Sequence, residues 1–389
     1  MKNDDRDPLI GVKVKTGIYP AASSPSGRRR RIRGLGIHEA DYFHVMSRTC
    51  GGAVFFDEVE KDALRRVLRR MAAFSGVEVL TYCVMGNHFH VLVRVPHRPT
   101  WLARFDGPNG ENLLMKHLRV LYSKGYVAQL EADIAEWRRL GSENRVKTKL
   151  EAFKRRMCDL SRFVKEVKER FTRWYNKRHE RKGTLWMDRF KSVLVEGRPS
   201  KAGGWSSVNA LKVMAAYIDL NPVRAGLVSD PGEYRWTGYG EAFSGGKEAR
   251  RGLNRVMGRS PEAGWESAGG AEAYRCFLFD EGREVKPRCS LVGTSDQLQH
   301  EGKRRKGISS EQVRQVLEAG GKLSATEMVR LRVRYFSDGT AIGSRAFVEE
   351  VFGENKTSFG SKRQKGANKI RECGEALYSL RRLQRRTLE

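Results

Sequence analysis

No run of about 18 apolar residues occurs anywhere in the 389-residue sequence, which excludes a membrane-spanning helix. There is no Cys-x-x-Cys pair either. The six cysteines stand apart at Cys50, Cys83, Cys158, Cys276, Cys289 and Cys373, so neither a zinc knuckle nor a redox motif is indicated and reduced thiols are expected. A phosphate-cradling P-loop is missing, so nucleotide-driven chemistry is not expected. The opening MKNDDRDPLIGVKVK is charged throughout and has no secretory core, so a cytoplasmic protein is expected. The most telling shortage is of acid. Against 74 Lys+Arg there are only 46 Asp+Glu, a formal net charge of +28. A solubilising surface would mix the signs more evenly. An excess of this size favours a polyanionic partner, nucleic acid first.

The 39% hydrophobic content is low but supplies a core, and the length suits two domains or three. Residues 1–33, with the run Arg28 to Arg31, read as a flexible basic arm. From Tyr42 the text changes. YFHVMSRT reads as a strand, residues 59–74 as an amphipathic helix, and residues 77–95 (VEVLTYCVMGNHFHVLVRV) as two strands joined by a tight turn at Gly86-Asn87. Residues 96–161 are polar and helix-forming, an insertion whose charges suit either a solvated face or a nucleic-acid clamp. Residues 162–178 continue as a helix, and residues 185–196 return to strand character. Residues 205–221 form a helix ended by Pro222. The order β-α-ββ-α-β-α predicts an α+β fold, a sandwich of helices on an antiparallel sheet. Residues 244–305 are Gly-rich and charged, a loose junction. Residues 306–389 hold a compact three-helix pattern, with capping signatures at Ser309 and Ser324 and a third start at Ser344, then a basic tail.

Two segments hold groups suited to chemistry. His88 and His90 flank Phe89 on one strand, so alternation turns both imidazoles to the same face, where together they can chelate a metal ion. In AAYIDLNPVRAGLV, Tyr217 and Asn221 are four apart and share one face of a helix. A phenol is a poor nucleophile near neutral pH unless a metal or positive charge assists it. The Asn221 carbonyl oxygen is a reasonable third ligand, and two nitrogens with one oxygen suit Mg²⁺ or Mn²⁺ completed by phosphate oxygens. The plainer alternative keeps Tyr217 as a core aromatic and Asn221 as a helix cap.

With both segments in one basic chain, the sequence resembles the HUH single-strand DNA nucleases, and among them the single-tyrosine, REP-associated tyrosine transposases. The likeness rests on YCVMGNHFHVLV (residues 82–93) and YIDLNPVRAGLV (residues 217–228). FHVMSRT and GTLWMDRFKSVLVE agree in character and order, and the likeness spans roughly residues 35–243, within a nuclease domain at 34–243. It implies that His88, His90 and Asn221 hold a divalent metal, Mg²⁺ or Mn²⁺. It implies further that Tyr217 attacks single-stranded or hairpin DNA, leaving a 5′-phosphotyrosyl bond and a free 3′-hydroxyl.

Arg48, Arg189, Lys191 and Arg224 flank the strands and the helix end and are candidate phosphate contacts. Tyr175, in FTRWYNKRHERKG, is a rival nucleophile but has no asparagine-proline end; Trp174 and Tyr175 read as core or stacking residues. His44 either approaches the site from the neighbouring strand or is a satisfied sheet histidine. The sequence departs from the family pattern in three places. Gly86 stands where relatives often carry proline, residues 96–161 are inserted, and residues 244–389 extend the chain as a helix-turn-helix reader or as a packing module. Two other functions fit the same residues: a replication or mobilisation nicking enzyme, and a hairpin-binding protein that no longer cuts. Pairing of two copies is left open.

Overall fold

The computed structural model describes residues 32, 39–197, 210–267, 269–279, 335–370 and 377–381. The expected basic arm apart from Ile32, the capping signatures at Ser309 and Ser324 and most of the basic tail lie outside these residues.

The core follows the predicted order: β1 (Ala40–Arg48), α1 (Glu58–Ser75), β2 (Glu78–Val84) and β3 (His88–Pro96). Four insertion helices come next, α2 (Arg98–Leu102), α3 (Gly110–Leu118), α4 (Lys124–Arg139) and α5 (Glu143–Lys154). Then follow α6 (Leu160–Arg178), β4 (Lys191–Val195), α7 (Ala210–Asp219) and α8 (Asn221–Arg224). β1 lies between β3 and β4, and β2 lies outside β3, all antiparallel. This is the strand arrangement of a split β-α-β sandwich.

Local chemistry explains the elements. Asp57 caps α1 by accepting from Val59 N and Glu60 N, and Glu60 reaches back in a capping box; such a cap is worth about 1 kcal/mol. Gly76 ends the helix in the left-handed conformation, at φ 71°, which glycine adopts without steric cost. Strand alternation then makes two layers. Phe89 points to one face and meets Trp186, which packs on Phe171 of α6, and α1 packs beside α6 there. His88 and His90 point to the other face, which α7 covers.

The structure differs from expectation in five respects. First, the sheet is mixed. Beyond β4 it continues into β5 (Ala341–Gly343), which pairs parallel to β4, and then into β7 (Tyr378–Ser379) and β6 (Asn368–Lys369). Such short strands carry too little alternation to be legible.

Second, in the described part of residues 306–389, these strands join the core sheet rather than forming a separate helical bundle. The Ser344 start is present: its hydroxyl accepts from Phe347 N at the head of the helix Arg345–Glu354. Glu196 accepts from both the backbone and the hydroxyl of Ser344, at 2.6 and 2.8 Å, and so fastens this segment to the end of β4.

Third, the Gly-rich stretch after residue 243 holds two packed helices, Lys247–Val256 and Gly270–Phe279. Gly252 is there for packing: a Cβ at that position would lie 2.4 Å from Leu80 O, so glycine lets the helix sit against β2.

Fourth, Pro222 does not end the helical path. Leu220 breaks it, and Pro222 opens the short α8 from within its first turn, where its missing N–H costs nothing.

Fifth, the β2–β3 turn has no left-handed residue at Gly86 or Asn87. Gly86 instead accommodates the 54–56 segment, its carbonyl accepting from Phe55 N and Phe56 N, and a Cβ there would meet Val54 at 2.9 Å.

Candidate active site

The inner face of β1 and β3 and the buried face of α7 meet in a cluster of rings. His88 and His90 lie on one sheet face with ring centroids 5.1 Å apart. Tyr217 of α7 sets its ring edge-on to His90 at 5.8 Å and to His44 at 5.9 Å. His44 is 1% exposed, His90 3% and Tyr217 8%; His88 is half-buried. Tyr217 is stacked on Phe336, centroids 4.8 Å apart, and the Arg224 guanidinium lies 4.4 Å over its ring. A phenol next to a guanidinium is next to the charge that stabilises phenolate.

Hydrogen bonds fix the histidines. His44 Nδ1–H donates to Phe336 O at 2.7 Å, and His44 Nε2 lies 2.8 Å from His90 Nδ1. Burial lowers the pKa of His44 to about 4 and holds that of His90 well below the ordinary value, with the neighbouring His44, His88, Arg224 and Arg48 adding repulsion at His90. Both rings are therefore neutral near pH 7. On the other histidine, Nδ1–H donates to Asn87 Oδ1 at 2.6 Å, while Asn87 Nδ2 donates to Gly52 O at 2.8 Å. A carbonyl can only accept, so the Gly52 bond settles which end of the Asn87 amide faces His88.

The predicted site residues are brought together unevenly. His88, His90 and Tyr217 meet as described. Asn221 caps the end of α7: its Nδ2 donates to Tyr217 O at 3.1 Å and Ile218 O at 3.2 Å, and these bonds do not engage the amide oxygen. Arg224 Nη2 donates to Tyr217 O at 2.6 Å. Arg48 ends β1 opposite His88 and is exposed. Arg189 is exposed too, and Lys191 is paired with Asp338 at 2.9 Å. Tyr175 belongs to the other layer, against Phe55, Phe56 and Phe171.

Among the described residues no group of three or more His, Cys, Asp or Glu is arranged to hold a metal ion. His44 cannot supply a third imidazole to such a group, because both of its nitrogens are turned to Phe336 and His90. The remaining donors, two imidazoles and the Asn221 amide oxygen, fit in chemical type a divalent ion that draws its other ligands from phosphate and water.

Three residues escaped the sequence reading. Phe336 lies far along the chain with no motif around it. Thr81 and Asp219 form a buried polar knot beneath α7: Asp219 accepts from Thr81 Oγ1 at 2.7 Å, Tyr274 Oη at 2.6 Å and Tyr239 N at 3.2 Å. Complete burial still raises its pKa to about 7, against those three bonds. The folded state therefore holds a proton that the unfolded chain releases near pH 4, so stability declines as pH rises from about 4 to 7. Asp219→Asn is expected to flatten that decline, on the order of 4 kcal/mol across the window. Urea unfolding of both proteins at pH 5 and pH 8 checks this, and parallel slopes would refute it.

No family model and no curated protein matches the chain. Among solved structures the chain is similar to a REP-associated tyrosine transposase bound to a REP hairpin, at 12% identity and a TM-score of 0.30, over 58% of this chain and 87% of that one.

Proposed function

We propose that this chain is a single-stranded DNA nuclease and strand transferase of the single-tyrosine HUH class, acting beside DNA hairpins. One observation supports the reading above the others: the Tyr217 ring, from α7, lies edge-on to His90, and His88 shares that sheet face from the same strand. A tyrosine kept only for packing has no need of two neighbouring imidazoles on one face.

In the reaction Tyr217 Oη attacks a phosphodiester phosphorus. The Oη–P bond forms and the bond from phosphorus to the 3′ oxygen breaks. The phenol gives up its proton and the departing 3′ oxygen takes one up, leaving a 5′-phosphotyrosyl bond and a free 3′-hydroxyl. Attack by that hydroxyl, or by one from another end, reverses the exchange. The phosphodiester energy is conserved, so no ATP is required. A divalent ion, Mg²⁺ or Mn²⁺, held by His88, His90 and Asn221, would supply Lewis-acid stabilisation of the phosphate charge. Arg224 lies over the face of the Tyr217 ring and would lend positive charge to the phenol as it gives up its proton. Arg48, opposite His88, and the exposed Arg189 offer contacts to the DNA backbone, the positions where sequence-independent affinity is made.

The test mixes purified protein with end-labelled, hairpin-bearing single-stranded DNA and Mn²⁺. A covalent band is expected on a denaturing gel, with the DNA fragment mapped by mass spectrometry to the peptide containing Tyr217. A fragment mapped to the peptide containing Tyr175 would overturn the assignment. Tight hairpin binding with no adduct would favour a binding protein that does not cut.

A further inference from the structure

We infer that His44 is a positioning residue, through which the backbone carbonyl of Phe336 dictates which nitrogen of His90 carries the proton. The inference rests on the proposal that His90 is a metal ligand, and it adds a residue that the proposed site does not include.

The bonds run through three residues, Phe336, His44 and His90. Phe336 O has no proton to give, so the 2.7 Å bond makes His44 Nδ1 the protonated nitrogen. His44 is 1% exposed and its two ring nitrogens face a carbonyl and a second imidazole, neither an anion, so the buried ring keeps a single proton, already placed at Nδ1, and Nε2 carries a lone pair. The 2.8 Å contact between that Nε2 and His90 Nδ1 is a hydrogen bond only if His90 donates from Nδ1. His90 is 3% exposed and its Nδ1 faces no anion, so this buried ring likewise keeps a single proton, which leaves its own lone pair on Nε2. Neutral imidazole in water populates the Nε2–H form freely, and that form has no lone pair for a metal at Nε2. Orientation of a ligating imidazole by a partner on its other nitrogen is a general device, and loss of such a partner costs about 10- to 100-fold in metal affinity.

The geometry also ties the far end of the chain to the site. Phe336 lies just before β5, which extends the core sheet, and its ring stacks on Tyr217 while its carbonyl holds His44. One residue from the C-terminal segment thus fixes both the ring of the proposed nucleophile and the tautomer of the proposed ligand.

The test is ¹⁵N–¹H long-range correlation spectroscopy of the full-length protein labelled at histidine, with calorimetric titration of Mn²⁺ alongside. In the wild type His90 is expected as the Nδ1–H tautomer. In His44→Phe the Nε2–H form should gain population and Mn²⁺ should bind about 10- to 100-fold more weakly. His44→Gln, whose amide can donate to one side and accept from the other, should recover part of both. A wild-type His90 protonated at Nε2 would overturn the inference without any variant having to fold. Unchanged tautomer and unchanged Mn²⁺ affinity in a folded His44→Phe would overturn it too. The expected tautomers with no Mn²⁺ binding in the wild type would uphold the relay from Phe336 through His44 and sink the metal-ligand reading, which separates the two failures.

Discussion

Tyr217→Phe is expected to abolish the covalent adduct with hairpin DNA, a loss of at least about 10⁴-fold, because the substitution removes the one atom that bonds to phosphorus. The aromatic ring stays, and with it the edge contacts to His44 and His90, the stack on Phe336 and the guanidinium of Arg224. The variant should therefore fold and bind the hairpin with wild-type affinity, so the loss reads chemistry and not collapse. Tyr175→Phe is the matched control. Its ring packs among Phe55, Phe56 and Phe171 in the layer across the sheet from the histidines, and its adduct yield should not change. Denaturing gels of both variants decide the matter, and an adduct that survives Tyr217→Phe refutes the assignment.

The second large effect is expected at the histidines. His88→Ala should slow adduct formation by about 10³-fold, the worth of some 4 kcal/mol of charge stabilisation at phosphate. Hairpin affinity, carried by arginine and lysine contacts to the backbone, should stay within about threefold. His88 is the cleaner position because it is half-buried, whereas His90 is 3% exposed. His90→Ala should show the same kinetic loss together with a lower melting temperature. It empties a buried volume and leaves His44 Nε2 without its donor, which costs about 1–3 kcal/mol. Parallel rate and gel-shift measurements test both variants; if affinity falls as far as rate, the histidines are structural.

Much of this arrangement is legible in residues alone. The β-α-β-β core could be read because its strands are apolar, β-rich runs and its first helix has amphipathic spacing. Placing His88 and His90 on one face needed only the period of a strand. The role of His44 was not legible, since a lone histidine in an apolar strand has the same appearance whether it faces a backbone carbonyl or a ligand. Pro222 misled because a helix stop and a helix start share the same dipeptide, and only the conformation of Leu220 distinguishes them. The strands after residue 340 are two or three residues long. At that length pairing is decided by what lies beside them: β5 adds to the edge of β4, β7 to β5 and β6 to β7.

The sequence by itself determined the excess of positive charge, the alternation that turns two imidazoles to one face, and the four-residue step from Tyr217 to Asn221. These are properties of composition and of local periodicity, which the chain carries wherever it goes. Tertiary structure alone decided that Tyr217 sits edge-on to His90, that His44 lies between His90 and Phe336, and that the C-terminal strands extend the sheet beyond β4. Those contacts join residues separated by as many as 292 positions. They depend on strand order and on the direction in which α7 crosses the sheet, and no local pattern encodes either.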